Sequence, residues 1–179
     1  MRALLVFAVL LAAPPDSPEW AYADGDVRVK SPGEAWNVQT VIPDAPNVRV
    51  AFTKPRGGDR GSILNVTIDG IPEIPTPSAY AKHTLDVLSA PPLAFKVRKS
   101  GDFSWKGNPA ARAEYTDKDG KRFFAQATIK TPRGQMLVAT LQAPDAVSYG
   151  EDLQVFFAFL DQIEVPPALP ATPAPKGKP

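Results

Sequence analysis

His83 is the only histidine in a chain of 179 residues, and cysteine is absent. Those two counts remove most of catalytic chemistry. A Ser-His-Asp triad, a histidine metal site or a proton shuttle would have to use His83. A thiolate nucleophile, a thiolate metal site and a disulfide are excluded outright. His83 falls on the flank of a helical stripe, and no Gly-x-Ser-x-Gly nucleophile elbow accompanies it. It is therefore read as a solvated surface imidazole. Asp117-x-Asp119-Gly120 starts like a calcium loop, but the fifth and twelfth positions fall on Lys121 and Thr128, so it is read as a turn. Asp24 and Asp26 are read as solvated. Glu114 is expected to share an exposed polar strand face with Arg112 and Thr116. No catalytic residue, metal or cofactor is assigned.

Binding chemistry is better represented. Lys54, Arg56, Asp59, Arg60 and Ser62 lie in a glycine-rich loop, Lys-Pro-Arg-Gly-Gly-Asp-Arg-Gly-Ser. It lacks the Gly-Lys-Ser/Thr ending of a Walker loop. Its arginines and backbone amides still suit an anion, against the plainer reading of a solvated hairpin loop. Val155 and Phe159 lie off the main apolar stripe of the last helix, where they either meet a partner or are covered internally. The partner-binding set read from the sequence is Lys54, Arg56, Arg60, Val155 and Phe159. Trp36 and Trp105 are read as packing residues at strand ends rather than as walls of a ligand cleft.

The elements that must carry these residues are mostly strands. Apolar residues alternate at Val27/Val29, Trp36/Val38, Val48/Val50/Phe52 and Leu64/Val66/Ile68. Four further strands are predicted near 93–99, 109–116, 121–130 and 135–143. They are joined through a tight Asp119-Gly120 turn and through Thr131-Pro132-Arg133-Gly134, which makes an antiparallel meander. Phe123, Ala125, Ala127 and Ile129 share one face with Phe124 on the other. Leu137, Ala139 and Leu141 likewise oppose Met136 and Val138. Both faces must therefore be covered. A helix is predicted over 77–90, with Thr76 as N-cap, Pro77 at the first position and Tyr80, Ala81, Thr84, Leu85 and Leu88 on its inner face. A second is predicted over 149–162, with a Ser148/Glu151 capping box and a Leu153, Phe156, Phe157, Leu160 stripe.

The ends differ from this middle. Arg2, the apolar run Ala3–Ala13 and the small-x-small Ala21-Tyr22-Ala23 together form a secretory signal peptide over 1–23, with Asp24 as the first mature residue. The run is about 11 residues, short of the roughly 20 that span a bilayer. The segment 166–179 is Pro/Ala-rich and is predicted as a disordered tail. Residues 24–165 remain as a single domain. Cleavage takes Arg2, Asp16 and Glu19 from 20 basic and 19 acidic residues, leaving 19 and 17. A net charge of about +2 argues against a dedicated nucleic-acid binder, which would show a dense basic field.

Three segments resemble the PsbP/Mog-like superfamily. Ser31-Pro32-Gly33-Glu34-Ala35-Trp36 is similar to its early P-x-G-x-W segment. Trp105 to Tyr115 (WKGNPAARAEY) is similar to its G-x-P-A-x-x-x-x-Y strand. Phe156 to Val165 (FFAFLDQIEV) is similar to its closing helix and final valine. The resemblance covers about Asp26 to Val165. It implies an α+β fold, an αβα sandwich in which an antiparallel sheet is covered by helices on both faces. It also implies a non-catalytic accessory or binding role, with no ligand residue to carry over. The expectation is an exported binding domain of the cell envelope, periplasmic or extracellular, with a protein or small-ligand partner, no nucleic acid and no membrane span. The alternatives are a small hydrolase with an unrecognised carboxylate site and a structural subunit of an envelope complex.

Overall fold

The computed structural model describes residues 20–39, 45, 47–58, 60–69 and 74–167. The apolar run of the expected signal peptide and nearly all of the expected tail lie outside them. Five strands come first: β1 (Tyr22–Ala23), β2 (Arg28–Val29), β3 (Asn37–Gln39), β4 (Val48–Pro55) and β5 (Gly61–Asp69). Helix α1 (Pro77–Ser89) leads to the meander β6 (Lys96–Trp105), β7 (Asn108–Thr116), β8 (Phe123–Lys130) and β9 (Met136–Ala143). Helix α2 (Ala146–Asp161) and β10 (Ile163–Glu164) complete the described chain.

Strands β3 to β9 form an antiparallel sheet in the order β3-β4-β5-β9-β8-β7-β6, and β1, β2 and β10 form a second, small one. The parity read from the sequence organises the packing. Ala125, Ala127, Ile129, Leu137, Ala139 and Leu141 join the main core with Phe156, Phe159 and Leu160 of α2. Met136 and Val138 cluster with Tyr80 of α1. Phe124 clusters with Ala113 and Tyr115, against which Leu85 and Leu88 of α1 pack.

Helix α1 forms as its sequence requires. The Thr76 side chain accepts from the Ala79 N–H, Pro77 opens the first turn, and Lys82 and Asp86 pair across one turn at 2.6 Å. Helix α2 begins earlier than expected. Its N-cap is Asp145, which accepts from both the N–H (2.8 Å) and the hydroxyl (3.2 Å) of Ser148. Ser148 therefore lies inside the first turn and caps nothing. Strand β6 also runs past its expected end, to Trp105. It is a sheet edge exposed along most of its length, so it needs no apolar alternation to mark it. The β7–β8 connection spans 117–122 instead of a two-residue turn. It is closed by the Asp117 carboxylate, which accepts from the Lys121 N–H at 2.7 Å.

The tip of the β6–β7 hairpin explains one of the resembling segments. Lys106 and Gly107 both have positive φ (47° and 81°), the backbone of a tight two-residue turn. The turn aims two donors at the end of α2. Trp105 Nε1 donates to the Leu160 carbonyl at 2.9 Å, and Lys106 Nζ donates to the Ile163 carbonyl at 2.9 Å. The Leu160 carbonyl, in the last turn where helix geometry leaves acceptors unpaired, thereby gains a donor, while the Ile163 carbonyl belongs to β10.

Val27 and Val29 are buried. Asp24 and Asp26 are not merely solvated. The Asp24 carboxylate accepts from the N–H groups of Asp26 (2.6 Å) and Val27 (2.8 Å), and Asp26 accepts from Arg133 at 2.7 Å, with Arg49 3.6 Å away. Processing after Ala23 would remove β1, together with the Ala21 and Tyr22 side chains that pack on the core.

Candidate functional site

The basic loop lies at the tip of the β4–β5 hairpin. Pairing persists to Pro55 opposite Gly61, and the Arg56 N–H donates to the Arg60 carbonyl at 3.0 Å, so the loop is closed tightly. Two of its cations turn inward. Lys54 Nζ donates to Asp152 Oδ1 at 2.8 Å, and Arg56 Nη2 lies 2.6 Å from Asp152 Oδ2. The Arg56 guanidinium also donates to Glu151. Asp152 is on α2 with a side-chain exposure of 0%, beside the equally buried Ser62. Burial pushes the Asp152 carboxyl up. The hydrogen bond from Lys54, the neighbouring Ser62 hydroxyl and the close Arg56 guanidinium outweigh that and bring it below its ordinary value.

The expected solvated loop is thus tied to α2 by a buried ion-pair network, and Lys54 and Arg56 spend their charge inside the molecule. The network is formed across 95 to 98 residues of sequence. Only the odd placement of Asp152, one turn before Phe156 on the inner face, marks it in the sequence.

Arg60 has a different environment. It lines an open cleft of about 900 Å³ at one end of the main sheet. The cleft lies between the β4–β5 loop (Gly58, Arg60), the β7–β8 turn (Lys121, Arg122) and the β9–α2 junction (Pro144, Asp145). Ile63 and Phe123, both half-buried, give it an apolar lining. Arg60, Lys121 and Arg122 are exposed, and none pairs with a carboxylate among the described residues. The carboxylate in the lining, Asp145, is committed to the α2 N-cap. Its hydrogen bond from the Ser148 N–H, above all, lowers its pKa. Lys121 and Arg122 fall at the start of the strand expected over 121–130 and lie outside the binding set read from the sequence; the structure places them just before β8. Their meeting with Arg60 depends on strand order, which places β5 and β8 on either side of β9.

The apolar pair expected at a partner surface does not lie at one. Phe159 is 0% exposed and meets Phe52 edge-on, with ring centroids 5.6 Å apart. Val155 is half-buried against the same core. The inner stripe of α2 is Tyr149, Asp152, Phe156, Phe159 and Leu160. Phe159 lies within it, and Leu153 and Phe157 move to its flanks. A helix that starts three residues earlier, with a charged residue on its buried face, misleads a reading centred on Leu153.

The remaining candidates are accounted for locally. His83 is exposed on α1. Glu114 is half-buried and accepts from the Tyr149 hydroxyl at 2.8 Å, and Thr116 is buried, so they form no exposed ladder. Burial, with that bond second, pushes the Tyr149 phenol up. Trp36 and Trp105 are both in the core, and Lys54 Nζ lies 5.8 Å from the Trp36 ring centroid. Among the described residues, no three His, Asp or Glu side chains gather as metal ligands, and no helix is long and apolar enough to cross a membrane.

No protein-family model matches the chain, and no curated protein matches it in sequence. Solved structures do match. The cyanobacterial PsbP protein (CyanoP) of Synechocystis superimposes with a TM-score of 0.59 at 14% identity, covering 88% of this chain and 98% of its own. LpqN of Mycobacterium tuberculosis, described as involved in cell envelope biogenesis, gives 0.57 at 16% identity, covering 79% and 83%. The Ran-binding protein Mog1p of Saccharomyces cerevisiae gives 0.54 at 10% identity, covering 79% and 90%. The chain has the PsbP/Mog-like fold, and identities this low carry the fold alone.

Proposed function

We propose that this chain is an exported, non-catalytic accessory domain of the cell envelope, and that the basic cleft is where it meets its partner. The observation that carries the reading is the cleft itself. Three cations from two separate loops line one opening, and among the described residues none of them is in a salt bridge. Nearby Lys54 and Arg56, by contrast, are neutralised in the interior. Exposed like charges gathered in a concavity raise the local concentration of an anionic partner.

Export rests on the three-part N-terminal segment, and an accessory role is the reading that the PsbP/Mog-like fold suggests. We further infer that α1 and α2 cover opposite faces of the main sheet. The support is the parity of β8 and β9, where alternate side chains cluster with one helix or the other. On this reading the cleft, at the open end of the sandwich, is left uncovered by both helices.

The test is affinity purification of the tagged, exported chain from its native envelope, alongside a charge-reversed Arg60→Glu/Arg122→Glu variant. The wild type is expected to retain a partner that the variant loses, with both showing the same thermal midpoint. Equal recovery by both would overturn the assignment of the cleft.

A further inference from the structure

Resting on that reading of the cleft, we propose that its ligand is an extended acidic segment of a partner protein, with two carboxylates about three residues apart flanking an apolar side chain. The spacing follows from sheet geometry. Arg60 precedes β5 and Arg122 precedes β8, and these strands run parallel to one another on either side of β9. Ile63 and Phe124 both stand level with Gln142 of β9, so the two arginines leave the sheet at the same end. At about 4.8 Å per strand, their backbones stand roughly 10 Å apart. A peptide in the polyproline II conformation rises about 3.1 Å per residue and turns once in about three residues, so carboxylates three residues apart lie on one side and span roughly the same distance.

The lining between the cations decides what lies between the carboxylates. Ile63 and Phe123 are half-buried and line the same cleft, so a short apolar side chain there gains contact area. Lys121 adds a third cation beside Arg122. Arginine is suited to the outer positions because its planar fork takes a carboxylate through two parallel hydrogen bonds. The helix dipole of α2 adds little, since Asp145 already occupies that N-terminus.

The experiment is fluorescence anisotropy on the full mature chain. The probe is a labelled peptide of about twelve residues with glutamate at every third position and leucine between. Controls are the same peptide with glutamine for glutamate, and inorganic phosphate as competitor. The glutamate peptide is expected to bind, to weaken about tenfold or more from about 20 to 200 mM salt, and to lose about tenfold in Arg60→Gln/Arg122→Gln. Arg60→Lys/Arg122→Lys keeps the charge without the fork and is expected to fall between. Glutamine peptide binding equally well, phosphate displacing the probe at matching concentration, or the Gln variant binding unchanged would each overturn the proposal. If the charge-reversed chain loses its partner in the envelope while the acidic peptide never binds, the cleft survives as the contact site and this ligand class falls.

Discussion

Asp152 is the residue whose environment departs furthest from what its type would choose. A carboxylate with no exposed surface on the inner face of a helix survives only through Lys54 and Arg56. Arg56→Ala is expected to destabilise the domain by about 2 kcal/mol. That is less than the 3–5 kcal/mol of a fully buried broken pair, because Lys54 remains bonded and Arg56 is itself partly exposed. The pH dependence follows from the lowered carboxyl. A depressed folded pKa adds stability that is fully present above the unfolded value of 3.8 and is lost as pH falls through the folded value. The gap between wild type and Arg56→Ala, read by chemical denaturation, should be full at neutral pH and shrink once pH drops below about 4. A gap that grows in acid would contradict the pairing. His83→Gln is expected to change neither the thermal midpoint nor partner recovery, since the imidazole is exposed on α1. A binding loss beyond about tenfold with unchanged folding would place His83 in a site.

Among the elements, α2 holds the two ends of the sheet in register. Its first turns take the β4–β5 loop through Glu151 and Asp152, and its last turn receives Trp105 and, just beyond, Lys106. Trp105→Phe removes the indole N–H that reaches the Leu160 carbonyl and also leaves a cavity in the core, and should cost about 2 kcal/mol or more in denaturant unfolding. No change would mean that the indole N–H contributes nothing. Strands with alternating apolar side chains were legible in the sequence: β4, β5, β8 and β9 all fall where period two puts them. So was α1, with Thr76 and Pro77 at its start. Elements that lack such a pattern were not. β6 is an exposed edge, and α2 carries a charge where its stripe should be apolar. In the small sheet only β2 was marked, by Val27 and Val29; β1 and β10 are two-residue strands too short to show a period. The candidate site was half legible for the same reason. Composition pointed to Arg60, but which cations are consumed and which are left facing solvent depends on contacts nearly 100 residues apart in sequence.

At the scale of the whole molecule, the proposed partner surface is the end of the main sheet where Arg60, Lys121 and Arg122 line one cleft. The chain outside the described residues carries its own expectations. Intact mass of the exported protein should give Asp24 as its first residue, and retention of Met1 would contradict export by a cleaved signal. Ending the chain at Val165 should shift the thermal midpoint by less than about 4 °C, because nothing after it has an apolar period. The cleft assignment is tested most directly by photocrosslinking in the native envelope from a benzophenone side chain placed at Lys121, compared with one placed at His83 on α1. The account expects a discrete adduct from position 121 that Arg60→Glu/Arg122→Glu abolishes, and none from position 83. An adduct from position 83 with none from 121 would move the binding surface to α1 and contradict the account.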